Sequence, residues 1–181
     1  MFVFIRGAGD LATGISVRLY RAGIKICHSD LAIPTAVRRN VAFSEAIRLG
    51  KTEVEGIEAV LAKSPEEVFR QMEKGKVPVV IDEGKEMLKK LKPYAVVDAI
   101  IAKKNLGTEI TDANVVIGVG PGFTAGVDCH AVIESKRGHN LGRVILNGSA
   151  IANTGVPGII KGFGIERVLR APSDGIMEDT V

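Results

Sequence analysis

Tryptophan is absent, and phenylalanine and tyrosine together make up only 4% of the 181 residues. Past residue 110 the aromatics are Phe123 and Phe163 alone, too few to form the stacking platforms on which single-stranded nucleic acid is held. A net charge of +3 is too small for the electrostatic footprint of a nucleic-acid binder. Cysteine is scarce: Cys27 and Cys129 lie far apart in no metal-ligand spacing, the pattern of reduced thiols in a cytoplasmic protein. No apolar run approaches the roughly 18 residues of a membrane span. The apolar start Met1–Ile5 has no basic segment before it and is too short for a signal peptide. A Gly-x-Ser-x-Gly elbow, a P-loop lysine motif and a Tyr-x-x-x-Lys pair are all missing, and no cluster of Cys or His suggests a metal. What remains is an ordinary globular composition, 46% hydrophobic and 25% charged.

The opening residues are the most informative. Phe2-Val-Phe-Ile5 runs into Gly7-Ala8-Gly9-Asp10-Leu11-Ala12, a Gly-x-Gly-x-x-Ala pattern between a strand and a helix. In a dinucleotide-binding βα turn the first glycine permits the tight turn and the second lets backbone approach a pyrophosphate. The third position must be small so that helix and strand pack closely. Leu11, Ile15, Leu19 and Ala22 share a helical face, Gly23 stops the helix, and Ile24–Cys27 reads as a second strand ending at Ser29-Asp30. Asp30 stands where such a fingerprint places the acid that accepts the ribose hydroxyls. Asp10 is expected to cap the first helix, where its carboxylate competes with a phosphate for the backbone N–H groups. A capped turn that holds no ligand therefore stays an alternative.

Farther along, Leu31–Gly50 reads as two short helices, with Pro34 in a first turn and Ser44 as a cap. Arg38 and Arg39 follow Asp30 closely enough to meet a phosphate, or else are simply solvated. Thr52–Ala62 alternates around Gly56 as a hairpin does. Ser64-Pro65-Glu66-Glu67 is a helix start, and Val77–Ile81 and Tyr94–Asp98 are strands separated by a lysine-rich helix. Alternating strands and helices predict an α/β fold, a Rossmann-like parallel sheet covered by helices. Asp98 and Lys103 are candidates to face the crevice at the carboxyl ends of the strands, although capping of a following helix is the commoner task for such an acid.

Near residue 110 lysine and arginine thin out and glycine becomes denser, which suggests a boundary: a Rossmann-like domain over 1–110 and a smaller glycine-rich β unit over 111–181. Val115–Val119 runs into Gly120-Pro121-Gly122, but Pro121 has no backbone donor and no helical period follows, so this is not a second phosphate loop of the usual kind. Asp128, His130 and Glu134 alternate along one predicted strand. Asp128 and His130 are candidates for acid–base work or for metal ligation, with no third ligand evident. The plain alternative is the polar face of a half-exposed strand. Asn147-Gly148 is a strong hairpin signal.

Long stretches of the chain resemble one family, the selenium-dependent molybdenum hydroxylase accessory proteins of the YqeB type. The stretches are Arg6–Gly14, Ala36–Arg39, Phe43–Ala46, Val97–Ala99 with Ala102–Asn105, Gly118–Asp128 with His130–Glu134, Arg137–His139, Leu141–Arg143 and Asn153–Gly155. The resemblance implies an accessory or maturation protein for molybdenum hydroxylases carrying labile selenium, with the hydroxylase or its maturation factors as partners and a homo-oligomer left open. It carries over no catalytic residue, but it places Asp10 inside the family motif and strengthens Arg38, Arg39, Asp128 and His130. Members of the family run on past this point. Val168–Gly175 looks like the start of a lipoyl- or biotinyl-type barrel-sandwich strand, so a truncated or shortened form is expected. The ligand expected at Gly7–Ala12 is a nucleotide, NAD(P)-like, or a pyrophosphate-bearing molybdenum cofactor, with Gly120 and Gly122 closing the crevice. Two alternatives stand beside this: an NAD(P)-dependent oxidoreductase with His130 as its proton donor, and a non-catalytic adaptor on a Rossmann scaffold. Cys27 and Cys129, on apolar strand patterns, are expected to be buried thiols rather than carriers of sulfur or selenium.

Overall fold

The computed structural model describes residues 1–168 and 171–176. Its strands are β1 (Phe2–Arg6), β2 (Lys25–Asp30), β3 (Lys51–Val54), β4 (Ile57–Leu61), β5 (Val77–Ile81), β6 (Ala95–Asp98), β7 (Val115–Val119), β8 (Thr124–Ala125), β9 (Ala131–Ile133), β10 (Val144–Ile145) and β11 (Gly148–Ser149). The helices are α1 (Asp10–Arg21), α2 (Glu45–Leu49), α3 (Pro65–Glu73) and α4 (Glu86–Leu91).

Nine strands form one sheet in the order β10-β9-β7-β6-β1-β2-β5-β4-β3, parallel except for the antiparallel outer pairs β3–β4 and β9–β10. With the β3–β4 hairpin set aside, the parallel strands read 3-2-1-4-5-6 in chain order, the doubly wound arrangement with its switch point between β1 and β6. The strand sequences explain the burial. Phe2 and Phe4 enter one core layer with Val68 and Met72 of α3 and Leu88 and Leu91 of α4. Ile5 enters the other with Ala12 and Val17 of α1 and Ala46 of α2. A strand covered on both faces reads as a continuous apolar run because both sets of alternating side chains leave water. The α/β fold with a mostly parallel, helix-flanked sheet is as expected.

The compositional boundary near residue 110 falls between β6 and β7, which pair in parallel within this one sheet. The glycine-rich part supplies β7, β9 and β10 to it, and only β8 and β11 form a separate two-stranded sheet.

Several local expectations give way. Residues 31–38 contain no helix; a 3₁₀ turn at Arg39–Val41 precedes the five-residue α2. Pro34 is thus not a helix start, and Ser44 precedes α2 without a side-chain cap bond. Asn147-Gly148 does not join a hairpin: β10 pairs with β9 and β11 with β8, so the dipeptide passes the chain from one sheet to the other. The strand expected over Val127–Glu134 is confined to Ala131–Ile133, because Asp128 lies in a turn that begins at Thr124. No α-helix follows Asp98 among the described residues. In the expected barrel-sandwich stretch Val168–Gly175, Leu169 and Arg170 lie outside the described residues. No helix is long and apolar enough to cross a membrane among the described residues.

Candidate functional site

The carboxyl ends of β1, β2, β5 and β6 open into a cleft of about 840 Å³ at the switch point. Its floor is the Gly7–Ala12 turn. Gly7 has φ +92°, and a Cβ there would lie 3.0 Å from the backbone of Ala99 and Ile100, so this glycine answers to the protein's own packing. Gly9 differs: its φ is −68°, and a Cβ would meet nothing within 4 Å. Its open side belongs to the cleft. Ala8 and Ala12 are buried, which keeps the turn close to the sheet.

Asp10 is not the helix cap. Gly9 occupies that position with no side-chain cap bond, and Asp10 is the first helical residue. Its carboxylate turns to Arg38, with Nε 3.1 Å from Oδ2. The first N–H groups of a helix have no partner within it. At α1 no cap side chain takes them, and the positive end of the helix dipole faces the cleft. The expected competition between Asp10 and a phosphate for these groups is therefore not what the structure shows.

Asp30 stands at the end of β2 on the cleft wall. Its Oδ2 accepts from the Ala8 N–H at 2.9 Å and its Oδ1 from the Leu31 N–H at 2.8 Å. Burial raises its pKa, against the lowering effect of these two bonds. A carboxylate offers about four lone-pair sites, so two bonds leave capacity for ribose hydroxyls. The far wall carries Asp82 and Glu83. Asp82 holds the amides of Met87 and Leu88 at the start of α4, and Glu83 accepts from the Ala32 amide.

The chain beyond β6 makes the fourth side. Arg6 ends β1 as a buried cation, 3.2 Å from Asp98 Oδ2, and it also donates to the Thr108 hydroxyl and to the Leu106 carbonyl. Thr108 Oγ1 donates to the same Asp98 oxygen at 2.6 Å, and Asp98 Oδ1 accepts from the Ile100 amide. This network draws residues 99–108 over the cleft, where Ile101 and Lys103 have φ of +59° and +63°. Left-handed backbone is uncommon outside glycine and is a true outlier for a β-branched residue.

Beneath the turn lies His28, fully buried. Its Nδ1 donates to the Gly7 carbonyl at 2.8 Å, and its ring meets Phe43 edge-on. Burial lowers its pKa to about 4, against the raising effect of the Gly7 bond, so the imidazole is neutral. Arg6 and His28 were given no role by sequence reasoning. A cation closing an otherwise apolar strand was the available signal for Arg6; nothing comparable marked His28.

The structure thus gathers Gly7, Gly9, Asp10, Leu11, Ala12, Asp30 and Arg38 in the cleft, with Ala8 buried beneath it. Arg39 lies on the 3₁₀ turn, 4.0 Å from Glu45, outside the cleft lining. Asp128 and His130 are not among the lining residues either. Asp128 Oδ2 accepts from the Thr124 amide at 2.7 Å and Oδ1 from Asn105 at 3.3 Å, while His130 Nδ1 accepts from the Val116 amide at 2.9 Å. Gly120 packs toward Ser135, where a Cβ would come within 2.6 Å of its hydroxyl oxygen. Gly122 packs against the backbone of Lys104 at a similar distance. Both glycines serve close chain contacts and neither lines the cleft. Cys27 and Cys129 are buried free thiols whose pKa burial raises. No group of three or more His, Cys, Asp or Glu side chains able to hold a metal occurs among the described residues.

A curated protein of Escherichia coli (strain K12), named "Uncharacterized protein YqeB", is 52% identical to the chain over 179 residues. That match covers 99% of this chain and 33% of the relative, so the chain spans about a third of its length. The likeness supports the YqeB-type resemblance carried by the motifs. No protein-family model matches the chain, and no solved structure matches it.

Proposed function

We propose that this chain is the nucleotide-binding part of an accessory protein for selenium-dependent molybdenum hydroxylases, holding a diphosphate-bearing ligand over the Gly9–Ala12 turn. One observation carries the binding role. The N-terminus of α1 is uncapped by any side chain, and the glycine before it keeps an open face toward a large cleft at the switch point. The residues fit such a ligand: helix N–H groups for the diphosphate, Asp30 for the ribose, and Arg38 for further phosphate charge. A dinucleotide, or the pyrophosphate of a molybdenum cofactor, would be bound and oriented by this same set. The hydroxylase role rests on the YqeB-type resemblance, with the hydroxylase or its maturation factors as partners.

The oxidoreductase alternative depends on His130 as a proton donor, and that ring is bonded to the Val116 amide away from the cleft lining. A non-catalytic adaptor would show no co-purified nucleotide by native mass spectrometry.

The test is Gly9→Val. A Cβ at this position meets no protein atom within 4 Å, so the variant should fold, with a stability loss of no more than about 1 kcal/mol from the poorer cap. Nucleotide binding, measured by calorimetric titration with NAD and ADP, should vanish because the side chain fills the path of the diphosphate. Unchanged affinity would overturn the reading.

A further inference from the structure

A second cavity, of about 460 Å³, lies beside the cleft, and the two share Lys103 in their walls. We propose that this cavity is a second binding site, for a phosphoryl group, with Lys103 supplying the charge and Thr124, Ser149 and Asn153 supplying further donors. The proposal does not require that the larger cleft hold a nucleotide.

The lining is unusual in its charge balance. Lys103 is the one ionisable residue among those that line it, and Thr124, Ser149 and Asn153 are the polar ones. No carboxylate lines it, in contrast to the larger cleft with its Asp10, Asp30, Asp82 and Glu83. Thr124 Oγ1 and Ser149 Oγ lie 3.0 Å apart. One hydroxyl proton is used between them, and the other is left to donate outward. An ammonium, an outward hydroxyl and an amide NH₂ form a set of donors suited to an oxyanion with several acceptor oxygens, and lysine meets phosphate as a point charge.

Lys103 is also held in place at a conformational cost. Its backbone is left-handed at φ +63°, and among the described residues no ion pair involves its side chain. The surrounding chain enforces that geometry. Gly122, at φ +112°, lies so close to Lys104 that a Cβ would come within 2.6 Å of its backbone. Asn105 donates to the Thr108 carbonyl and to Asp128 and accepts from the Thr108 amide, while Asp128 also fixes the Thr124 amide. The Gly120–Gly122 turn and Asp128 thereby gain a role: they clamp the loop bearing Lys103 against the wall bearing Thr124. Backbone kept in a costly region by contacts from several directions is a mark of functional sites.

The experiment is an amide NMR titration of the protein with inorganic phosphate. Phosphate should shift the amides of Gly122, Phe123, Thr124, Ser149 and Asn153. In Lys103→Asn, chosen because asparagine tolerates left-handed backbone, the affinity read at these amides should fall at least about tenfold with the thermal midpoint unchanged. Should that variant fail to fold, Lys103→Gly removes both the charge and the strain and should give the same loss. Shifts confined to Gly9–Ala12, or shifts at the second cavity that persist at equal affinity in the Lys103 variants, overturn the proposal. In Gly9→Val the phosphate shifts at Thr124 and Ser149 should survive. If the wild-type protein binds no nucleotide yet shows these Lys103-dependent shifts, the nucleotide reading fails and the second site stands.

Discussion

Two glycines one residue apart stand in opposite surroundings. Gly7 combines a φ of +92° with a Cβ position 3.0 Å from the Ala99 and Ile100 backbone, so Gly7→Ala incurs both conformational strain and a clash that only backbone movement relieves. A loss of roughly 1–3 kcal/mol is expected. Gly9→Ala adds a methyl into open space at an ordinary φ and should cost under about 1 kcal/mol. Urea denaturation of the pair checks this, and equal losses would remove the distinction on which the ligand assignment rests. The spacing of the motif made both glycines visible in the sequence. Which of them answers to the fold was not, because that depends on where residues 99–100, far away in the chain, come to rest.

Among the elements, legibility followed how local the determining interactions are. Helix α3 was readable at Ser64-Pro65-Glu66-Glu67, since the Ser64 hydroxyl accepts from the Glu67 amide within the same turn. The unit β1-turn-α1-β2 and the hairpin around Gly56 were readable for the same reason. Residues 31–38 were misread as helical because nothing local fixes them; the Asp10–Arg38 pair and the Glu83 bond to Ala32 come from other elements. From its position at a strand end Asp98 reads as a candidate to face the crevice or, more commonly, as the cap of a following helix. Its actual partners are Arg6 and Thr108, and Arg6 lies 92 residues away. A buried ion pair of this kind fixes the loop that carries Ile101 and Lys103, and such a pairing has no local sequence signature.

At the scale of the whole molecule, the sheet class was legible from alternating strands and helices, but its continuity was not. The change in composition near residue 110 reflects the loss of crossover helices rather than the loss of the sheet: β7 and β9 extend it on the far side of β6 through connections that carry no α-helix. Global stability should carry the imprint of His28, whose pKa falls from its ordinary 6.5 to about 4 on burial. Between those values the unfolded chain binds a proton that the folded chain does not, so stability rises with pH across the window and is lost on acidification. From pH 6.5 to 5 the loss due to this residue is about 2 kcal/mol. Asp30, whose carboxyl is raised, acts with the opposite sign. Urea unfolding at both pH values should show a smaller decline for His28→Gln than for the wild type; equal slopes would show that the buried ring is not the source.

The Asp10–Arg38 ion pair sets stability against affinity. A carboxylate in the first turn of α1 favours the helix by roughly 0.3–1 kcal/mol through the dipole, and the exposed pair with Arg38 adds little. To an incoming diphosphate the same carboxylate is a repulsive neighbour and a rival for the guanidinium. Asp10→Asn should therefore lower the melting temperature slightly while tightening nucleotide binding, by up to about fivefold for 1 kcal/mol released. Calorimetric titration of the variant with NAD decides the matter, and weaker binding would mean that the acid helps to hold the ligand. If the trade exists, the turn is tuned for release as well as capture.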